Sequence, residues 1–466
     1  MSDPAAGFVV AIDNGSQSTK VLIVDGRGVV HARARVPLRP YASPAPGRWE
    51  HPDDDLWDSI VGAVRLAMAD FDGDPAAIRG IGLCTIRFCR AVLRADGTLA
   101  QPVMSWMDER LSRPYEAETE DAAFVTTSSG YLGHRLTGRR RDAAGNVQGM
   151  WPIDTPRWDW SDDDAEFART GLRRSRLFDL VPPGETLGSL TARAAALLGL
   201  PEGLPVVATS NDKAVEALGA GLQGEDEAVL SLGTYVATMT PGSRVLDDPD
   251  FWTNFAAEPG RFLHESHGVR RGMWTVSWFR DLVSSTGGGY TETDLDAGAA
   301  DLPPGAGGLV VALDWLATSD EPWRRGALVG FDGTQGRFHI HRAILEALAI
   351  ETAQADRRAR LALGRDLRSL VVTGGGSASP LMLRILAAVY GVPVRRPAVA
   401  DAAGMGAAIA AAVGTGLHES WAAAMAAMVA PGVVVPVDAQ LQRAYEPVVA
   451  RYERVLPRIR SLFADE

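Results

Sequence analysis

The chain has 466 residues, more than one core of ordinary size accommodates, and two large domains are the expected division. A content of 46% hydrophobic and 22% charged residues excludes a disordered or fibrous chain. The formal net charge of -12 excludes nucleic acid or an anionic membrane as main partner, since both need a basic face, but it permits a locally basic phosphate pocket.

The start, MSDPAAGFVV, has no basic segment followed by a long apolar core, and no run of about 18 apolar residues follows, so a cytoplasmic location is expected. An apolar, β-rich run over residues 8–12 breaks at Asp13-Asn14-Gly15 and resumes over 21–24, which predicts two strands joined by a polar turn. In DDDLWDSIVGAVRLAMADF, Leu56, Ile60, Val64 and Met68 stand four apart behind an acidic first turn, the pattern of an amphipathic helix. Residues 78–84 and 91–94 read as strands around an irregular bend. Cys84 and Cys89, the two cysteines, lie there without a nearby His pattern, which is neither a disulfide framework nor a zinc site.

Residues 106–204 read as mostly helix and loop, with Trp151, Trp158 and Trp160 taken as packing. PVVATSNDKAVEALGAG then gives a strand over 206–208, a polar turn and a helix from about Lys213, a strand-to-helix junction carrying Asp212. AVLSLGTYVATMT repeats the strand, turn, strand shape of the N-terminus. The boundary is placed between residues 221 and 224, giving domains of 1–222 and 223–466. HIHRAILEALAIETAQADRRAR is a long helix, and SLVVTGGGSASPLMLRILAAVYGVPV reads as strand, glycine run, helix and strand. Its glycines fall at a strand's carboxyl end, where open α/β sheets bind ligands. AAGMGAAIAAAVGTG closes the series as a small-residue helix.

Each glycine turn alone is most simply a connection. Two strand-turn-strand units, one opening each half, plus a glycine run after a strand, form a more specific combination. Backbone N–H groups in such turns can cradle phosphate oxygens, and Ser16, Ser18, Thr19 and Thr234 add hydroxyls. His264, His267, His339 and His341 show no ligand spacing.

DNGSQSTK resembles the phosphate-binding hairpin of the FGGY carbohydrate kinases, members of the actin-like ATPase superfamily. The resemblance continues in order through GRWEHPDDDLW, SWMDER, RLTG, TSNDKAVEALGAG, LSLGTYV, RRGALVGF, VVTGGGSAS and GMGAAIAAAVG. Within the family, IDNGSQSTK, HPDDDLW and MWTVSW are similar to an uncharacterised bacterial sugar-kinase branch.

The resemblance implies an α/β fold of two actin-like, ribonuclease H-like domains with a cleft between them, and ATP-dependent phosphorylation of a sugar or polyol. It implies Asp212 as catalytic base, a role the chemistry supports, because phosphoryl transfer needs a carboxylate to orient the attacking hydroxyl and take its proton. At a helix start, Asp212 is expected to stay ionised. Asp13, Gly15, Ser16, Ser18, Thr19, Lys20, Gly233 and Thr234 are implied to bind the ATP phosphates. Asp13 and Asp212 would hold the nucleotide's Mg²⁺ through water. Gly374, Gly375, Gly376 and Ser379 would bind the nucleoside, and Arg87, Trp106, Asp108, Asp212 and Trp274 the acceptor. Ile86 and Phe88 flank Arg87 where glycerol kinases show Gln and Glu, which counts against glycerol, and xylulose kinases differ there too. A small-molecule acceptor is the expected partner, and a homodimer is compatible with the chain. Two competing readings are an actin-like ATPase of non-kinase function and a catalytically silent sugar-binding regulator. SWMDER and Arg87 favour a kinase over the first; Asp13, Asp212 and Thr234 together weigh against the second.

Overall fold

The computed structural model of the protein describes residues 7–285, 287–318 and 321–464. Residues 1–6, part of the segment on which the expectation about the start of the chain was based, lie outside them.

Phe8–Asn14 is apolar almost throughout and buried on both faces, as a strand inside an α/β sheet must be. It pairs antiparallel with Ser18–Asp25 and in parallel with Ile78–Thr85, which in turn pairs in parallel with Pro205–Asn211. Val30–Pro37 and Thr186–Ser189 complete a six-stranded sheet at its two edges. Side chains alternate across it: Val10 and Ile12 join the core under helix Asp55–Asp70, whereas Val9 and Ala11 join a second core on the opposite face. The helix buries Leu56, Ile60, Ala63, Val64 and Ala67 along one stripe, as the four-residue spacing predicts.

The second half repeats this plan. Glu227–Leu232 pairs antiparallel with Val236–Gly242 and in parallel with Ser369–Thr373, at the centre of a seven-stranded sheet. Helix Arg337–Leu363 and helix Pro380–Tyr390 pack on it around Ile344, Leu348, Leu383 and Leu386. Residues 106–204 depart from the expectation. Besides helices Ser128–Thr137, Asp164–Thr170 and Ala192–Leu198 they contain strands Phe124–Thr127, Arg141–Ala143 and Asp179–Val181. Strands of three or four residues are too short to display a period.

Two helices, Asp212–Gly219 and Ala402–Gly414, form a layer joining the sheets. One apolar cluster runs from Val9, Ala11 and Cys84 through Val215, Met405 and Ala408 to Val229, Met239 and Val371. The second helix comes late in the chain yet packs on the first sheet, where a Cβ on Gly82 would run into the carbonyl of Ala407. A Cβ on Gly219 would likewise run into the carbonyl of Ala402 and the nitrogen of Gly406, and one on Gly406 into the carbonyl of Val215. The small-residue composition therefore has a physical cause: two helix backbones in direct contact between the sheets. A second bridge is the hairpin Phe251–Phe255 and Phe262–Ser266, whose Phe255 meets Trp158 with ring centroids 4.3 Å apart. Trp151, Trp158 and Trp160 are all buried, and Trp158 packs between the halves.

Candidate functional site

In the first sheet the register sets Asp13 beside Cys84 and Asn14 beside Thr85, and Thr85 beside Asn211. Asp13, Arg87 and Asp212 thus leave the carboxyl ends of three adjacent parallel strands, the edge at which open α/β sheets carry their ligands. In the second sheet Leu232 and Thr373 end neighbouring parallel strands, followed by Gly233-Thr234 and by the Gly374–Gly376 turn. Helix Asp212–Gly219 links the two edges: its Glu216 carboxylate accepts from Ser231 Oγ at 3.0 Å and from Thr373 Oγ1 at 2.7 Å. Lys213 completes this link, 2.9 Å from Glu216 and 2.6 Å from Ser231.

The N-cap of that helix is Asn211, whose Oδ1 accepts from Ala214 N at 3.1 Å, which frees Asp212 from capping. Asp212 is the first helical residue, with 27% of its side chain open and Arg87 Nε 3.9 Å from Oδ1. Burial raises its pKa against the opposing pull of Arg87 and Lys213. Besides the helix terminus, desolvation thus acts on its ionisation, and a raised pKa strengthens the carboxylate as a proton acceptor.

Lys20 Nζ lies 3.2 Å from Asp13 and 3.3 Å from Asp401. Burial raises the Asp13 carboxyl, opposed by Lys20. Asp401 was not singled out in the sequence. It caps helix Ala402–Gly414, and an Asp directly before a helical run was the available signal. The hairpin residues divide by the alternation of the strand. Ser18 and Lys20 share one face, with Ser18 Oγ accepting from Arg35 Nε at 3.1 Å. Thr19 points to the opposite face, fully buried, its hydroxyl 2.6 Å from both Asn14 Nδ2 and Ser59 Oγ. Thr19 is thus an interior bracing residue, which corrects its assignment to phosphate. The Gly15 N–H is likewise engaged, on Ser18 O at 3.2 Å, closing the turn that presents Ser16.

Gly233 and Thr234 accept through their carbonyls from Met273 N at 3.1 Å and Gly272 N at 2.8 Å, which pins the turn to the helix behind it. In the glycine run the three residues differ. Gly374 has φ 78° and a Cβ there would lie 2.5 Å from Leu232 O; at Gly376 it would lie 2.7 Å from Met273 Sδ; at Gly375 it would meet open space. Local packing thus accounts for the glycines at 374 and 376 but not for Gly375. Gly375→Val is expected to weaken ATP binding at least tenfold, seen by titration calorimetry, with an unchanged melting temperature; Gly374→Ala is expected to lower the melting temperature instead. Ser379 caps helix Pro380–Tyr390 through Met382 N at 3.0 Å.

Arg87 donates through both terminal nitrogens to Glu265, at 2.8 and 2.9 Å, across the two halves. Phe88 and Trp252 lie against it, 5.2 and 5.0 Å from ring centroid to guanidinium carbon. Phe88 holds φ 64°, an uncommon backbone for a bulky residue, and this sets its ring beside Arg87. Ile86 is buried in the core, so of the two departures only Phe88 faces this group. Asn254 bonds to Asn211 and Gln148 and donates to Glu265 at 3.4 Å. Glu265, Asn254, Gln148 and Trp252 carried no local motif. Only the contact between halves, 178 positions apart for Arg87 and Glu265, brings them together.

Asp108 is corrected as an acceptor ligand. Its side chain is fully enclosed and accepts from Trp49 N at 2.8 Å and from Arg110 N and Nε at 3.0 and 2.8 Å. Arg110 also reaches Glu50, so SWMDER and GRWEHPDDDLW brace one another and hold the loop on which Trp106 stands 42% exposed. Trp274 has Arg271 and Trp278 as ring neighbours and follows Met273, whose N–H donates to the Gly233 carbonyl.

Two α/β units tied together at their strand ends, with the partly open Asp212 carboxylate at the first and glycine turns at the second, have the layout of a phosphotransferase of the actin-like class. The chain belongs to the FGGY family of carbohydrate kinases: residues 8–117 and 111–219 match its N-terminal domain and residues 228–415 its C-terminal domain. It is 42% identical over 445 residues to the uncharacterised sugar kinase YgcE of Escherichia coli K12, covering 94% of this chain and 90% of that one. In fold it resembles a xylulose kinase from Rhodospirillum rubrum, with TM-score 0.84 at 24% identity over 98% and 99% of the chains. A gluconate kinase from Lactobacillus acidophilus gives 0.85 at 16% over the same shares. The protein is a sugar kinase, a phosphotransferase acting on a sugar hydroxyl, and FGGY kinases use ATP. Among the described residues no helix is long and apolar enough to cross a membrane.

Proposed function

We propose that the protein transfers the γ-phosphoryl group of ATP in line to a hydroxyl of a ketose or sugar alcohol, with Asp212 as the base. The observation supporting this reading is that Asp13, Arg87 and Asp212 stand at three adjacent strand ends, and that the helix begun by Asp212 is tied through Glu216 to Ser231 and Thr373, on the strands that lead into the Gly233 and Gly375 turns. Asp212 would orient the attacking hydroxyl and take its proton, and its raised pKa suits that role. Lys20 would move from Asp13 and Asp401 onto the transferring group. Ser16, Ser18, Gly233 and Thr234 would hold the phosphates, Gly375 and Ser379 the nucleoside, and Trp106 one wall of the acceptor pocket.

The buried carboxylate of Asp13, next to Asp401 and Asp212, offers the hard oxygen donors Mg²⁺ requires. Asp13 and Asp212 would hold Mg²⁺ through water, and the ion would neutralise developing phosphate charge. Chelation with EDTA is expected to abolish turnover, and excess Mg²⁺ to restore it, followed by ADP release.

Domains of 1–222 and 223–466 would close on substrate and exclude water. The protein would act in the cytoplasm, and as a homodimer. The decisive experiment screens ketoses, polyols and sugar acids for ADP release. Acceptor-dependent turnover at least tenfold above the ATPase background is the expected result, and its absence across the panel would overturn the reading.

A further inference from the structure

We propose that Glu265 sets acceptor specificity by cancelling the charge of Arg87, so that the pocket takes uncharged polyhydroxyl acceptors and shuts out sugar acids. This rests on Asp212 as the base, as proposed above, and on the placement of the acceptor beside Arg87 that the family resemblance implies.

Arg87 is the cation on which an acidic acceptor would have to dock, and the structure leaves it little to give. Both terminal nitrogens are occupied side by side by the Glu265 carboxylate at 2.8 and 2.9 Å, the strongest geometry a guanidinium offers. Its Nε faces Asp212 at 3.9 Å, and Phe88 and Trp252 lie against the group. The Glu265 side chain is 1% exposed and is further fixed by Asn254 Nδ2 at 3.4 Å. Lys213, next to Asp212 in the chain, is held by Glu216 and Ser231. One cation is thus set against two carboxylates, Glu265 and Asp212. An ionised acid is an acceptor only, and here it would find occupied donors and two like charges. A hydroxyl can donate to Asp212, the one of the two carboxylates that is open, and the apolar faces of Phe88 and Trp252 suit the C–H side of a sugar. The pairing also supplies from the second half a carboxylate next to Arg87, where Phe88 follows it in the chain.

The test measures kcat/KM on matched pairs, each a polyol or ketose and the aldonic acid of equal chain length. The wild-type enzyme is expected to prefer the neutral member by about 10²-fold or more. Glu265→Gln, which keeps the shape and frees the Arg87 charge, is expected to lower that preference at least tenfold, mainly through a smaller KM for the acids. Glu265→Asp, which keeps the charge, is expected to retain the neutral preference. Equal or better wild-type use of acids, or no turnover of any neutral member, overturns the proposal. So does an unchanged preference in a folded Glu265→Gln; if that variant does not fold, the wild-type ratio and Glu265→Asp still decide. Arg87→Met separates the two failures. If it raises acceptor KM while Glu265→Gln leaves the preference unchanged, the charge filter alone is wrong. If neither variant alters any acceptor KM, the acceptor lies elsewhere and the placement fails as well.

Discussion

Asp212→Asn is expected to lower kcat by about 10²-fold or more while leaving the KM for ATP and the melting temperature near their wild-type values. The amide keeps the size of the side chain but cannot take a proton. The helix should not suffer, because its cap is Asn211 through Ala214 N. The ordinary structural explanation for an Asp at a helix start, a capping role, therefore falls on its neighbour. Asn211→Ala gives the contrast: it should cost stability well beyond the about 1 kcal/mol of a lost N-cap, because it also strips the buried Gly145 and Asn254 oxygens of a donor. Steady-state ADP release together with thermal unfolding separates the two effects. Near-normal turnover of a folded Asp212→Asn would remove Asp212 from the mechanism.

Gly219→Ala is expected to destabilise the protein by about 3 kcal/mol, the upper end of overpacking costs, and to depress turnover with it. Two effects oppose each other at this position. Inside an exposed helix the same change gains roughly 0.5–1 kcal/mol by removing glycine's conformational freedom. Here the added methyl would be driven into the carbonyl of Ala402 and the nitrogen of Gly406, both backbone, so neither can rotate away. The clash dominates, and relieving it must separate the helices that set one sheet against the other. Misalignment of Asp212 with the Gly233 and Gly375 turns follows, because Glu216 on the same helix is what ties it to Ser231 and Thr373. Urea unfolding and kcat measured together check this. A stabilised variant with full activity would show that the helices have room to spare.

What could be read from the chain alone followed locality. The hairpin at Asp13-Gly15, the strand-to-helix junction at Asp212 and the glycine run at 374–376 are short-range patterns, each produced by neighbouring residues, and the structure has them in those places. The resemblance then attached candidate roles to them. Thr19 and Asp108 were misassigned because a motif names residues without their facing. Strand alternation turns Thr19 onto Ser59, and Arg110 with the Trp49 amide encloses Asp108.

The sequence by itself determined the local elements, because periodicity and turn chemistry are written along the chain, and the resemblance of its ordered motifs supplied the class of fold, the kinase family and the candidate carboxylates. Only the tertiary structure decided which side chains form one pocket. Glu265 and Asn254 face Arg87 and Asn211 because a hairpin of the second sheet crosses to the first, and Asp401 meets Lys20 because a late helix packs against early strands. Those pairs lie 43 to 381 positions apart, and no local pattern encodes a contact that two sheets and two glycine-packed helices create between them.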